Sequence, residues 1–160
     1  MFKRTHTCGE LNSKDNIGDS ISLCGWISKS RDLGGLHFID LRDRYGKTQI
    51  VFNQEINKDA FEVVKKLGLE DVIGIKGTVV DRPKDAVNKD LITGDIDVEV
   101  NDLYVFNESE PTPFDINKRQ SASEDHRLKY RYLELRTKEL QQNILIRHKA
   151  AIEVRNVMND

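Results

Sequence analysis

An aromatic ring stands among charged residues in the segment Leu36–Arg42, and that combination has a known chemical use. Phe38 shares its parity with Leu36, Asp40 and Arg42, while the opposite parity holds His37, Ile39 and Leu41. Because side chains alternate across a strand, a core-facing Ile39 places Phe38 on the outer face beside a carboxylate and a guanidinium. Such a ring on an open sheet face is typical of a platform for stacking unpaired bases. The alternative is that Phe38 covers the rim of the core or packs under a loop.

Composition limits the class of protein. The chain has 160 residues and a net charge of −2, without an apolar run near the ~20 residues of a membrane span. The start, Met1-Phe2-Lys3-Arg4, lacks the apolar stretch of a signal peptide, so we expect a cytoplasmic protein that does not bind a membrane. Cys8 and Cys24 have neither CxxC spacing nor a paired histidine motif. Neither a disulfide framework nor a metal site is therefore predicted.

The charges are segregated along the chain. Five cations accompany three anions between Trp26 and Lys47, and seven accompany three between Lys118 and Lys138. The intervening segment Asp81–Glu110 has nine anions and three cations. This pattern permits a phosphate-facing surface on a mildly acidic protein, although charge runs are also common on ordinary solvated surfaces.

Hydrophobic periodicity predicts five strands and one helix before residue 107. The strands are predicted at 20–31, 36–42, 47–53, 71–82 and 95–106, with glycine turns or polar loops between them. Asn57 or Asp59 could cap a helix after the third strand, and Gly68 could end it. Gly74 and Gly77 inside the fourth strand indicate a bulge or bend. The order β-β-β-α-β-β predicts a mainly β, five-stranded OB-fold barrel, and a small SH3-like barrel is the competitor.

The character of the chain changes after residue 106. Pro111 and Pro113 favour an extended segment, and helical composition begins at Ser121 or Ser123. A second helix is predicted over Thr137–Asn159, with an apolar stripe that nothing obvious in the chain covers. We therefore expect that a second domain begins here and is truncated at Asp160.

Several motifs are distinctive in combination: Cys24-Gly25-Trp26, Arg31-Asp32-Leu33-Gly34-Gly35, Phe38-Ile39-Asp40-Leu41-Arg42-Asp43, Gly46, Gln49, and the run from Arg127 to Arg136. Together they resemble the N-terminal part of bacterial-type aspartyl-tRNA synthetases, and the resemblance extends along the whole chain. It implies an anticodon-binding OB domain over residues 1–106, a linker over 107–122, and the start of a class II catalytic domain over 123–160.

The resemblance also implies roles for individual residues. The position of Phe38 stacks on an anticodon base in this family, and that of Gln49 hydrogen-bonds a base edge. Four further positions read or hold the anticodon loop: Arg31, Arg82, Asn88 and Asp97. Asp97 departs from the family's more usual glutamate, and Lys29-Ser30 replaces a more arginine-rich run, so we expect weaker holding of the RNA backbone.

No catalytic residue is predicted in this chain. No phosphate-binding glycine loop, nucleophile–base pair or metal cluster is present in the sequence. The resemblance implies that the full-length protein activates aspartate with ATP and Mg²⁺, transfers it to tRNA, and dimerises through its catalytic domain. The chain itself is expected to need no cofactor and to be inactive in aminoacylation. Two other functions remain open: a non-specific single-strand-binding OB module, and a protein-interaction barrel.

Overall fold

The computed structural model describes residues 2–159, apart from the side chains of residues 119–121. The chain divides into two compact units, Met1–Pro111 and Thr112–Asp160. The first unit contains β1 (Ser20–Asp32), β2 (Leu36–Arg42), β3 (Lys47–Asn53), α1 (Lys58–Val64), β4 (Val72–Asp81) and β5 (Ile96–Asn107). The second contains a 3-10 helix (Ile116–Ser121), α2 (Glu124–Lys129), α3 (Arg131–Glu134) and α4 (Lys138–Asn159).

The five strands close into a barrel in the order β1-β2-β3-β5-β4, with β4 returning to pair with β1. All neighbours are antiparallel except β3 and β5, which pair in parallel through Ile50–Val98 and Val51–Glu99. The predicted five-stranded OB-fold barrel, with its helix between β3 and β4, is confirmed.

The inward residues form one continuous core inside the barrel. Alternation places Ile21, Leu23 and Ile27 of β1 in this core. Ile39 and Leu41 of β2 are fully buried there too. At Gly25 a Cβ would lie 2.3 Å from the carbonyl oxygen of Arg42, so only glycine permits the close approach of β1 and β2 at this point.

Helix α1 packs against the core through Ala60, Phe61 and Val64. Asn57 caps it, because its side-chain oxygen accepts a hydrogen bond from the Ala60 N–H at 2.9 Å. The prediction that Gly68 ends this helix is wrong. The C-cap is Lys65, and the Gly68 N–H instead donates to the Asp71 carboxylate at 2.8 Å.

Register shifts interrupt the pairing of β4 with β5 between Lys76 and Gly77, and again between Val72 and Ile73. The first supports the prediction of a bulge at an interior glycine. A Cβ at Gly77 would lie 2.4 Å from the carbonyl oxygen of Glu99, which explains why a glycine suits this position.

The second unit has a small apolar cluster of Phe114, Ile116 and Leu133. Ser123 caps α2 by accepting a hydrogen bond from the His126 N–H; the side chain of Ser121, the other predicted starting point, lies outside the described residues. Of the described residues in α4, none is buried. None of the helices in the described part of the chain combines the length and hydropathy needed to cross a membrane.

Candidate nucleic-acid interface

A β-bulge in β1 decides which side chains share the outer face of the barrel. The pairing of β1 with β2 shifts between Ile27 and Lys29, so Ile27 lies opposite Leu41 whereas Lys29 lies opposite Asp40. Strict alternation continued beyond Ile27 would have turned Arg31 toward the core. The extra residue reverses the parity, and Arg31 therefore faces outward, directly opposite Phe38.

Phe38 lies in a row that crosses three strands. Arg31 precedes it on β1, and Val51 is its partner on β3. Its side chain is half-buried, whereas the fully buried Ile39 beside it points into the core. The ring is thus on the outer face of the sheet, as predicted, with a cation on one side and an apolar residue on the other.

The next row on this face is polar. Asp40 and Gln49 are direct cross-strand partners, and the Arg31 guanidinium connects their side chains. Arg31 Nη2 donates to Gln49 Oε1 at 2.8 Å and to Asp40 Oδ1 at 3.2 Å. One arginine therefore joins the aromatic row to the polar row.

The polar row continues to β5 and β4. Gln49 Nε2 donates to Asp97 Oδ1 at 3.0 Å, and Arg82 donates to the same oxygen from Nε at 3.1 Å. Arg82 Nη2 also donates to the carbonyl oxygen of Ile96 at 3.0 Å. Five side chains thus form one chain of hydrogen bonds, here called the polar network: Asp40, Arg31, Gln49, Asp97 and Arg82.

Arg82, one of the positions that the resemblance named, is a buried cation beside Asp97. Its side chain is only 3% exposed, and that of Asp97 is 13% exposed. The contact with Arg82 covers most of the Asp97 side chain. Because its guanidinium donates to Asp97 and to the carbonyl oxygen of Ile96, Arg82 supports the Asp97 carboxylate from within the protein.

The polar network fixes the side-chain amide of Gln49 in one orientation. Its oxygen faces the Arg31 cation and its nitrogen faces the Asp97 carboxylate. The flipped amide would place donor against donor and acceptor against acceptor. In the observed orientation one lone pair on Oε1 and one N–H on Nε2 remain for a ligand, an adjacent acceptor and donor that match one edge of a nucleobase.

Asn88 is not joined to the polar network. It lies in the exposed segment 83–90, where its side-chain oxygen accepts a hydrogen bond from the Asp90 N–H at 3.0 Å. Its backbone N–H donates to the carbonyl oxygen of Gly94, also at 3.0 Å. In this structure Asn88 shapes the loop between β4 and β5.

His37 lies directly behind this face and points inward. Its Nε2 is 2.7 Å from Ser30 Oγ, and the residue is 5% exposed. Burial lowers the pKa of His37, and this effect exceeds the opposing attraction of Asp32. Burial therefore favours the neutral form of this imidazole, which lies beneath the outer row that contains Phe38.

The sequence-based site omitted Asp40. This residue is two positions from Phe38 on the same face, so strand parity had already placed the two together. The missing signal was its contact with Arg31, which depends on the bulge in β1.

Within residues 2–159, no group of three or more His, Cys, Asp or Glu side chains could hold a metal ion. The face can stack a flat ring on Phe38 and hydrogen-bond a polar edge at Gln49.

Comparison with known proteins places this geometry in context. Residues 21–106 match the family described as "OB-fold nucleic acid binding domain". Along nearly its whole length the chain is similar to two bacterial proteins. It is 48% identical over 159 residues to the aspartate–tRNA(Asp/Asn) ligase of Desulfotalea psychrophila, and equally to the aspartate–tRNA ligase of Bacteroides thetaiotaomicron. Each alignment covers 99% of this chain and 26% of the relative, so the chain spans about a quarter of their length.

Solved structures share the fold. The asparaginyl-tRNA synthetase of Pyrococcus horikoshii superposes with a TM-score of 0.81 at 24% identity, covering 99% of this chain and 34% of that protein. The aspartyl-tRNA synthetase of Entamoeba histolytica gives a TM-score of 0.81 at 19% identity, with coverages of 91% and 35%.

Proposed function

This chain belongs to the family of OB-fold nucleic acid binding domains, and from that membership we propose that its barrel selects tRNA by reading the anticodon of aspartate tRNA. Its similarity to two aspartate–tRNA ligases over 99% of its length supports this choice of RNA. An anticodon loop suits the face described above, because its unpaired bases expose both flat surfaces and hydrogen-bonding edges.

The observation that carries the proposal is the position of an oriented amide beside an outward aromatic ring. Phe38 supplies the stacking surface, and Gln49 lies diagonally from it on the neighbouring strand. If one base stacks on Phe38, the adjacent base in the RNA would lie within reach of the free donor and acceptor of the Gln49 amide. Stacking supplies affinity for any base, whereas the amide supplies discrimination between bases.

The remaining residues have supporting roles in this proposal. Arg31 is the exposed cation of the polar network and would contact phosphate or a base edge, in addition to holding Gln49. Asp97 fixes the nitrogen of Gln49, and Arg82 fixes Asp97. Asn88 would act through the shape of its loop.

The activity proposed for the whole protein is that of an aspartate–tRNA ligase, which activates aspartate with ATP and Mg²⁺ and transfers it to tRNA. In this proposal residues 1–106 are the anticodon-binding domain, residues 107–122 are a linker, and residues 123–160 begin a class II catalytic domain that forms a homodimer. ATP and Mg²⁺ are assigned to the three quarters of the relatives' length that this chain does not span. The cytoplasm is the proposed location.

The proposal is tested with the variant Gln49→Ala and a hairpin RNA bearing the aspartate anticodon. Binding is compared with that of three hairpins in which one anticodon base is changed, at one salt concentration. Gln49→Ala should lose about 1–3 kcal/mol of discrimination at one anticodon position, the usual contribution of a bidentate base contact. Gln54→Ala is the matched control, because Gln54 is exposed just beyond the end of β3.

A non-specific single-strand-binding module is the second candidate, and it gives a different result. Such a module binds all four hairpins alike, with an affinity that falls steeply as salt increases. Gln49→Ala would then change nothing. That outcome contradicts anticodon reading by this face.

A further inference from the structure

Asp40 is an anion on a surface proposed to bind RNA, and its presence there needs an explanation. Its side chain is 16% exposed, and its carboxylate faces the same side of the barrel as Phe38. A negative charge at this position repels phosphate and lowers affinity for any RNA. A surface selected for affinity alone would not carry it.

The charge of Asp40 acts on Arg31. Arg42, the next outward residue on β2, does not contact Asp40: its Nη2 donates to both carboxylate oxygens of Glu70, at 2.9 and 2.8 Å. Asp40 accepts instead from Arg31, whose side chain is 41% exposed. A long exposed arginine has many rotamers, and an anion beside its guanidinium selects one of them.

The selected rotamer is the one that holds Gln49. Nη2 of Arg31 is shared between Asp40 and the amide oxygen of Gln49, so the carboxylate keeps the cation against that oxygen. Without the carboxylate, the Arg31 side chain can adopt other rotamers and contact the nearest phosphate of the RNA instead. The amide of Gln49 then keeps its contact with Asp97, which still disfavours the flipped amide, but loses the cation that holds its oxygen in place.

We infer that Asp40 is a specificity-determining positioning residue: it restrains Arg31 so that Gln49 presents one fixed donor–acceptor pair to a base, at the cost of overall RNA affinity. This inference rests on the proposed function. It extends the site to a residue that makes no contact with the base, and it predicts that affinity and discrimination change in opposite directions.

The test uses Asp40→Asn, which keeps the shape of the side chain and removes its charge. The probes are the aspartate anticodon hairpin and its three single-base variants, measured by fluorescence anisotropy at two salt concentrations. Asp40→Asn should bind all four hairpins more tightly at low salt, by about twofold to fivefold, the range that an exposed ion pair contributes. The hairpin changed at the position read by Gln49 should gain more affinity than the matched hairpin, so that the ratio of mismatched to matched Kd at that position falls by about twofold.

Two further variants separate positioning from other effects. Asp40→Glu keeps the charge and should restore most of the discrimination. Asp102→Asn makes the same change of charge at an exposed position of β5 and should leave the discrimination ratio unchanged. Thermal unfolding of each variant establishes that the barrel is folded.

The outcomes distinguish the inference from the function on which it rests. If the wild-type chain discriminates and Asp40→Asn discriminates equally well, the inference is overturned and anticodon reading stands. Equal weakening of all four complexes by Asp40→Asn also overturns it. If the wild-type chain binds all four hairpins alike, anticodon reading itself fails, and the inference fails with it.

Discussion

Gln49 and Asp97 are joined across the one parallel seam of the barrel, where Gln49 Nε2 donates to Asp97 Oδ1 at 3.0 Å. The two residues are 48 positions apart in the sequence, and the helix and fourth strand intervene between them. The amide of Gln49 is therefore oriented by the closure of the barrel. We expect any change that separates β3 from β5 to impair the proposed recognition of RNA before it unfolds the protein.

Phe38→Ala tests the stacking platform. Removing the half-buried ring should weaken binding of the aspartate anticodon hairpin by about 1–3 kcal/mol, the usual contribution of a base–aromatic stack. The measurement is a fluorescence-anisotropy titration, accompanied by thermal unfolding. Phe106→Ala is the control, since this ring is 47% exposed on β5 and lies outside the proposed interface. Unchanged affinity in Phe38→Ala, or an equal loss in the control, contradicts the assignment.

Arg82→Met tests whether the buried cation supports Asp97. The change leaves a largely covered carboxylate without its partner and should lower the free energy of unfolding by about 3–5 kcal/mol. Urea denaturation measures this loss. The double variant Arg82→Met/Asp97→Asn removes the stranded charge and should recover part of the stability. If the double variant is as unstable as the sum of the two single variants, the charges are not coupled as the structure indicates.

His37 predicts how stability depends on pH. Its pKa is lowered from 6.5 by burial, so the unfolded chain takes up a proton at a higher pH than the folded chain does. The stability associated with the neutral imidazole is complete above pH 6.5 and is lost as the pH falls toward the folded-state pKa. Nearby charges act in opposite directions: Asp32 raises the pKa and Lys65 lowers it.

Urea denaturation between about pH 7 and pH 5 measures this dependence, because few carboxyl groups titrate in that range. The variant His37→Gln carries no titratable ring and should lose less stability over the interval than the wild-type chain. Parallel curves for the two proteins would show that His37 is not the group responsible.

Much of the barrel was predictable from local patterns. The observed strands Leu36–Arg42 and Lys47–Asn53 coincide with the predicted ones, because alternation is regular there and each strand is bounded by a glycine-containing turn. Asn57 was one of two predicted caps, and its side chain makes the capping hydrogen bond. These features depend on residues within a few positions of one another.

Other features depend on distant partners and were not predictable in this way. No local residue pattern marked the bulge between Ile27 and Lys29, although it decides which face Arg31 occupies. The burial of Arg82 requires Asp97 from the following strand. Helix α1 ends at Val64 with Lys65 as its C-cap, and the Gly68 N–H instead donates to the Asp71 carboxylate in the turn that leads to β4.

At the candidate site, too, some features were predictable from the sequence and others depend on contacts between distant residues. The resemblance to a known family named Arg31, Gln49, Asp97 and Arg82 individually, and the structure joins the four through hydrogen bonds. It also adds Asp40 and separates Asn88, whose hydrogen bonds stay within its own loop. A pattern of residue types indicates which side chains could contact RNA, but only the register of the strands shows which side chains hold one another.

Reading of the aspartate anticodon is tested most directly by the binding of the wild-type chain to four hairpins, one with the aspartate anticodon and three with a single anticodon base changed. Fluorescence anisotropy at one fixed salt concentration gives the four Kd values. We predict that the aspartate hairpin binds at least about tenfold more tightly than the changed hairpins, a difference of about 1.4 kcal/mol. Equal Kd values for all four would contradict anticodon recognition by this barrel.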